Sequence, residues 1–209
     1  MKAALFILLI VYAVFFAPGE GAGNDPIFSA LISGDFAAVD PAVTAVFSSL
    51  GVYPALFLAI LLTADRYRLP AWPFAIGAFG LGAFALLPWF IFRGKVVREI
   101  PRGPRLIRQI VRHPLYSGTL LFVSFALILV LIAGSWPAYR EAFFSSQLVS
   151  VMTVDLFVLM YLSYDVFKND RERRHAWLNV FPAVGPAALL LQDALLRRKK
   201  RNISLNTKI

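Results

Sequence analysis

Six apolar runs dominate this 209-residue chain and decide what it can fold into. A helix needs about 20 apolar residues to cross a bilayer, and several of the runs approach that length. Because a backbone in hydrocarbon must satisfy its own hydrogen bonds, each run is predicted to be a helix. The sequence therefore predicts an all-α, polytopic integral membrane protein with about five or six transmembrane helices, from the runs 3–17, 43–63, 71–92, 117–136, 148–164 and 177–196.

The composition limits which class of protein this chain can be and which partners it can bind. With 59% hydrophobic and 16% charged residues, a water-soluble domain is disfavoured. The 21 Lys and Arg cluster between apolar runs and at the C-terminus, which favours anionic lipid headgroups over nucleic acid as the partner. The absence of cysteine excludes thiolate chemistry, and two histidines argue against a histidine metal site. We therefore expect no metal, while the sequence leaves protein partners open.

The chain divides into three predicted parts. Residues 1–22 fit either a signal peptide or a retained N-terminal anchor, because the first apolar run is short and a small-residue stretch follows it. Residues 23–196 form a single helical membrane domain, and residues 197–209 form a basic tail. The segment 18–42 contains four acidic residues and no Lys or Arg, which is typical of a loop on the translocated side.

The distribution of positive charge does not fix an orientation. If all six runs cross, 10 Lys and Arg fall on one side and 11 on the other, so the positive-inside rule favours neither side. At least one run is therefore expected not to cross. The candidate is 177–196, because Pro182, Gly185 and Pro186 interrupt its first half. A run that dips in and returns there would collect 17 of the 21 basic residues on one face and place the N-terminus on the opposite face.

The run 71–92 is predicted to be a closely packed helix. Pro88 predicts a bend near its end, and Trp72 and Trp89 are expected to anchor its two ends at the membrane interfaces. Small residues at four-residue spacing let a neighbouring helix approach, and they form two pairs, Ala71 with Ala75 and Ala78 with Gly82.

Asp155 stands near the middle of the run 148–164. A carboxylate at that depth is costly unless it is neutral, paired or facing water, so an intramembrane function in transport is one expectation. The alternative is a structural role, in which Asp155 ties two helices together through hydrogen bonds with Ser, Thr or Tyr. No second acidic or basic residue lies mid-membrane to complete a relay or an ion path.

The segment VRHPLYSGTLL at 111–121 is the other candidate site. Pro114 is suited to the first turn of a helix, and the cluster could hold a carboxylate or phosphate at that helix N-terminus. In the simpler interpretation Arg112 contacts lipid phosphate, while His113 and Tyr116 lie in the interfacial belt.

RHPLYSG resembles the Arg-His-Pro-x-Tyr-x-Gly motif of the group of membrane methyltransferases that contains isoprenylcysteine carboxyl methyltransferase and phospholipid N-methyltransferase. The resemblance implies that the four residues Arg112, His113, Tyr116 and Gly118 bind S-adenosylmethionine. That group also carries a Glu-Glu pair downstream, where this chain has only Glu172 between arginines.

Four blocks, LPAWPF, GAFALLP, VMTVDLF and FPAVGPA, are similar in sequence and order to a family of multi-pass membrane proteins without an assigned function, found mainly in cyanobacteria and plastid-bearing lineages. This resemblance implies a thylakoid or plastid membrane if the source is photosynthetic, and a plasma or inner membrane otherwise. The expected function is that of a non-catalytic membrane protein without a cofactor. The alternative is a methyltransferase that uses S-adenosylmethionine on a lipid or isoprenyl substrate.

Overall fold

The computed structural model describes residues 1–206 except 20, 22, 64, 95, 98–102 and 173, and it describes side chains up to residue 199. Helices make up 80% of the structure, and the described residues form no β-strand. Two of the helices end in π-helical turns, at Tyr12–Phe16 and Val166–Asp170, and there are short 3-10 helices at Phe36–Ala38 and Ala176–Val180. The helices are α1 Lys2–Val11, α2 Pro26–Ser33, α3 Pro41–Leu62, α4 Trp72–Phe92, α5 Arg105–Arg112, α6 Pro114–Ala133, α7 Trp136–Ser145, α8 Gln147–Asp165 and α9 Val184–Asn206.

Four helices are long and apolar enough to cross a membrane. They are α3, α4, α6 and the continuous helix from Gln147 to Asp170 that contains α8. The helix at Lys2–Phe16 is apolar but shorter. Its 15 residues rise about 22 Å at 1.5 Å per residue, less than the hydrocarbon thickness of about 30 Å.

The helix α4 does not run straight, because it folds back on itself at Gly82. The backbone of Gly82 is non-helical, with φ 52° and ψ −130°. The indole N–H of Trp89 donates to the carbonyl of Leu69 at 3.0 Å. In a straight helix those two residues would lie about 30 Å apart. A β-carbon on Gly77 would lie 3.5 Å from that of Ala85, which also requires the two halves to be side by side.

The two limbs of α4, residues 72–81 and 83–92, are therefore each about 15 Å long and enter and leave at the same end of the bundle. The bend expected at Pro88 occurs at Gly82 instead. Trp89, expected to anchor this end at the membrane interface, faces protein instead, because its side chain is 1% exposed and packs edge-on against Tyr67 at 5.5 Å between ring centroids.

The last apolar run also enters and returns at one end, as its Pro and Gly pattern predicts. Near the end of α8, the hydroxyl of Ser163 donates to Asn179 at 2.6 Å. The chain then passes inward until the amide of Ala183 donates to the hydroxyl of Tyr53, half-way along α3, at 3.1 Å. From there α9 leads back out towards its basic C-terminal part.

One end of the bundle, which we call the basic end, gathers the start of α1 and the ends of α3 and α8. Lys2 pairs with Asp165 at 2.6 Å. Arg171, just after α8, donates to the carbonyl of Ile60 near the end of α3 at 2.7 Å. The same guanidinium pairs with Asp193 of α9 at 2.9 Å, which fixes where α9 emerges.

The opposite end, which we call the acidic end, gathers the starts of α3 and α8 and the end of α6. Asp40 caps α3 and also accepts from the amide of Ser135, just after α6, at 3.0 Å. Asp25 caps α2 and accepts a hydrogen bond from Ser146, the residue before α8. Arg140 is the only Lys or Arg at this end among the side chains that the structure describes.

The other 13 of the 14 described Lys and Arg side chains lie at the basic end. The expected placement of the N-terminus opposite the basic face is thus wrong, because α4 folds back at Gly82 and Lys2 pairs with Asp165 at the basic end. The 13 are Lys2, Arg66, Arg68, Arg93, Arg105, Arg108, Arg112, Lys168, Arg171, Arg174, Arg197, Arg198 and Lys199.

Replacing Gly82 by alanine should destabilise the fold. A β-carbon there would collide with the Asp155 carboxylate, and the positive φ strains any side chain. Strain and overpacking each cost about 1–3 kcal/mol, so we expect a loss of at least about 2 kcal/mol, measured by thermal unfolding of the purified protein. Gly80→Ala is the matched control, since a β-carbon at Gly80 meets nothing within 4 Å. Equal unfolding temperatures for the two variants would contradict the fold-back.

Candidate functional site

Asp155 lies at the fold-back of α4. Its side chain is 4% exposed, and its two carboxylate oxygens accept from the amide of Ala83 at 2.9 and 3.2 Å. Ala83 begins the second limb, whose first amides have no partner within their own helix. Asp155 therefore caps a half-helix from a neighbouring helix, through a backbone amide rather than through the Ser, Thr or Tyr hydroxyl that the sequence suggested.

The electrostatics of this contact favour a structural role. The positive end of the helix dipole of the second limb faces the Asp155 carboxylate, which offsets part of the cost of burying it. None of the cavities described below includes Asp155 in its lining. A transport role would require a polar cavity beside the carboxylate, so this geometry counts against it.

The residues of the RHPLYSG motif have different contacts. The Nδ1 atom of His113 accepts from the amide of Leu115 at 3.3 Å and thereby caps α6, which begins at Pro114. The hydroxyl of Tyr116 donates to the carbonyl of Ala55 in α3 at 2.9 Å. His113 and Tyr116 are thus engaged in a helix cap and a helix–helix contact.

Arg112, His113 and Gly118 nevertheless border one groove, between the α5–α6 junction and the C-terminal half of α9. The groove consists of two adjoining cavities of about 790 and 420 Å³. Gly118 lines the smaller one, and α9 contributes to both cavities. We call this the basic groove, and its lining comprises Gln109, Arg112, His113, Pro114, Leu115, Gly118, Thr119, Phe122, Ala194, Arg197 and Arg198.

The basic groove carries positive charge without a matching acid in its lining. Burial, together with the charges of Arg197 and Arg108, lowers the pKa of Arg112. Burial also lowers the pKa of Arg197, whose guanidinium is 3.9 Å from Asp193, a residue already paired with Arg171. Like charges held this close stabilise a bound anion.

Glu172, the acidic residue nearest in sequence to the expected Glu-Glu pair, is not part of the groove. It is exposed, with a positive φ of 50°, in the connection that follows α8. No described residue of the segment 165–181 lines the basic groove. The enclosed polar pocket that the methyltransferase resemblance implies is therefore not formed by these residues.

Sequence reasoning missed a second polar cluster at the basic end. Arg93 makes a two-pronged contact with Asp170, in which Nη2 donates to Oδ1 at 2.9 Å. Its guanidinium also lies 4.7 Å from the ring centroid of Tyr67. Although burial acts to lower it, the pKa of Arg93 is raised by the hydrogen bond and charge of Asp170. The sequence does show charged residues after two of the apolar runs, which is the one signal that could have indicated this cluster. Their pairing, however, depends on the fold-back of α4.

No protein-family model, curated protein or solved structure matches the chain. Among the described residues, no cluster of three His, Cys, Asp or Glu side chains could hold a metal ion. The local resemblance of RHPLYSG to membrane methyltransferases therefore depends on those residues alone. Function has to be inferred from the geometry of the basic groove and of the Asp155 contact.

Replacing Asp155 by asparagine should be tolerated, whereas replacing it by leucine should not. Asparagine keeps an oxygen acceptor for the Ala83 amide, so we expect a loss below about 1 kcal/mol; leucine leaves that buried amide unsatisfied, at a cost of about 1–3 kcal/mol. Thermal unfolding measures both, with Met152→Leu as a control at another buried position of α8. If asparagine destabilises as much as leucine, the negative charge itself is required and the capping interpretation fails.

Proposed function

We propose that the chain is an integral membrane protein that binds anionic lipid headgroups at its basic end and catalyses no reaction. In this proposal α3, α6 and α8 cross the bilayer, and the shorter helix formed by α1 and its π-helical turn also crosses, where the bilayer thins locally. The helix α4 and the segment from 176 to α9 enter and return. The apolar lengths of these helices and the separation of basic from acidic residues between the two ends support it.

The positive-inside rule then assigns an orientation. With 13 of the 14 described Lys and Arg side chains at the basic end, that end faces the cytoplasm or the equivalent compartment. The membrane is a plasma or inner membrane, or a thylakoid or plastid membrane in a photosynthetic lineage. The contact between Lys2 and Asp165 supports retention of residues 1–22 as an anchor rather than their removal as a signal peptide.

The basic groove is the observation that carries the lipid-binding proposal. Arg112, Arg197 and Arg198 lie together where α5, α6 and α9 emerge, and the groove lining contains no carboxylate. Guanidinium groups bind phosphate through several hydrogen bonds at once, and each basic residue near an anionic membrane surface contributes about 1 kcal/mol. A phosphate headgroup would supply the negative charge that this lining lacks.

The second candidate function is a methyltransferase that binds S-adenosylmethionine. The observation in its favour is that Arg112, His113 and Gly118 of the motif border one groove of sufficient size. The charge argument opposes it, because S-adenosylmethionine carries a net positive charge, from a sulfonium and an ammonium group against one carboxylate, and the groove lining contains cations and no carboxylate. His113 and Tyr116 are also already engaged in structural hydrogen bonds.

The double variant Arg112→Gln/Arg198→Gln should bind phosphatidylglycerol at least about tenfold more weakly than the unaltered protein, because two headgroup contacts are lost. The measurement is lipid retention by native mass spectrometry, and the difference should shrink at high salt. The matched control is Arg68→Gln/Arg174→Gln, which removes the same charge from exposed positions outside the groove. Equal losses of affinity in both variants would show that the lipid responds to general surface charge and not to the basic groove. Saturable binding of S-adenosylmethionine by the unaltered protein would instead favour the methyltransferase.

Single cysteines should report the fold-back of α4 in membranes, because the chain contains no cysteine of its own. We expect Arg68→Cys and Arg105→Cys, on either side of α4, to react with an impermeant maleimide from the same side of sealed vesicles. Ser33→Cys, in α2 at the acidic end, should react only from the other side. Labelling of Arg68→Cys and Arg105→Cys from opposite sides would show that α4 crosses the membrane.

A further inference from the structure

A second cavity lies at the acidic end and is independent of the basic groove. It measures about 650 Å³ and is bordered by α3, α6, α7 and α8. Pro182, next to the innermost point of the segment that leads to α9, lies at its inner boundary. The part of α8 that lines it runs from Thr153 to Met160, a rise of about 10 Å. The cavity is therefore an elongated space that reaches from the acidic end towards the middle of the bundle.

The sequence of α7 explains why this cavity is apolar. Its residues WPAYREAFFS place Trp136, Tyr139, Phe143 and Phe144 on one helical face, and these side chains line the cavity. The opposite face, with Glu141, borders a separate cavity of about 230 Å³ beside α2 and α3. A short amphipathic helix thus presents an aromatic wall to the cavity and directs its acidic residue elsewhere.

The hydroxyl groups in the lining are already satisfied by the protein. Tyr139 and Thr153 share a hydrogen bond of 2.6 Å between their hydroxyl oxygens, and Thr153 is also within 2.6 Å of the carbonyl of Val149. Neither hydroxyl therefore requires a polar ligand. The cavity wall favours an aliphatic occupant, whose burial provides the binding energy.

Arg140 differs from the rest of the lining. It is an exposed cation bordering an otherwise uncharged cavity, and the described part of the chain provides no carboxylate within ion-pair distance of it. It is also the only described basic side chain at the acidic end. A cation held at the edge of an apolar space matches a ligand with an anionic head and an aliphatic tail.

We propose that this cavity binds a single-chain amphiphile with an anionic head, of the long-chain fatty-acid type. The carboxylate pairs with Arg140 at the acidic end, and the chain runs inward along α8 past Leu156 towards Met160. The site lies outside the basic groove and shares no residue with it. Lipid binding at the basic end and fatty-acid binding at the acidic end are therefore separable by mutation.

The test uses the intrinsic fluorescence of Trp136, which lines the cavity, whereas Trp72, Trp89 and Trp177 lie towards the basic end. The full chain is placed in nanodiscs of zwitterionic phosphatidylcholine and titrated with 9,10-dibromostearate, whose bromines quench tryptophan on contact. We expect saturable quenching with one site per chain, which Trp136→Phe removes. Methyl 9,10-dibromostearate, which lacks the charge, should bind at least about tenfold more weakly.

Two substitutions separate the contributions of head and chain. Arg140→Gln should make the acid bind as weakly as its methyl ester, while Arg68→Gln, at the basic end, should leave both affinities unchanged. Val46→Phe, which fills part of the lining, should weaken the acid and the ester alike. Thermal unfolding checks that each variant is folded, and Arg140 is exposed, so its replacement does not disturb the core.

Two results would overturn the proposal. One is equal affinity of the unaltered protein for the acid and the ester, since Arg140 would then contribute nothing. The other is quenching that rises in proportion to ligand without saturation and is the same in Val46→Phe, which would mean that Trp136 only reports the surrounding bilayer. Saturable quenching by a dibrominated two-chain phosphatidylglycerol, but not by the fatty acid, would assign the cavity to a membrane phospholipid instead.

Discussion

The hydrogen bond from the amide of Ala83 to the carboxylate of Asp155 holds the sharp turn of α4 at Gly82 in the interior of the bundle. An unsatisfied amide at this buried position would cost about 1–3 kcal/mol. Because α4 folds back, the connections before and after it lie at the same end. Those connections carry Arg66, Arg68 and Arg93, so this one contact determines where much of the positive charge lies.

The segment that leads to α9 also enters and returns at one end of the bundle, and there a different side chain accepts the hydrogen bond of the buried amide. The amide of Ala183, at its innermost point, donates to the hydroxyl of Tyr53, which is fully buried in α3. In both places a neighbouring long helix supplies the acceptor for a chain that leaves helical geometry inside the bundle. A buried backbone amide without a hydrogen-bond partner is costly, and the carboxylate of Asp155 and the hydroxyl of Tyr53 provide those partners.

The helices of the apolar runs could be predicted from the sequence, but the short helices α2, α5 and α7 were not predicted, and the fold-back of α4 could not be. Length and hydropathy are the same for a 21-residue helix that crosses and for one that turns at its middle. The carboxylate that accepts from Ala83 at the turn belongs to Asp155 of α8, about 70 residues away in the sequence. The even division of charge was the one available signal, since it predicted that at least one run does not cross. The motif pointed to Arg112 and His113, but only tertiary structure brings Arg197 and Arg198 beside them.

The polar side chains best suited to catalysis are mostly committed to holding the backbone. Asp155 caps a half-helix, His113 caps α6, and Tyr116 bonds to a carbonyl of α3. A general acid or base needs a titrating group within reach of a bound substrate, and these groups already have structural partners. In the linings of the basic groove and of the cavity at the acidic end, the fully charged side chains are cations, among them Arg112 and Arg198 at one end and Arg140 at the other. Cations beside apolar helix surfaces are suited to binding amphiphilic anions, and the lipid-binding proposals rest on that arrangement.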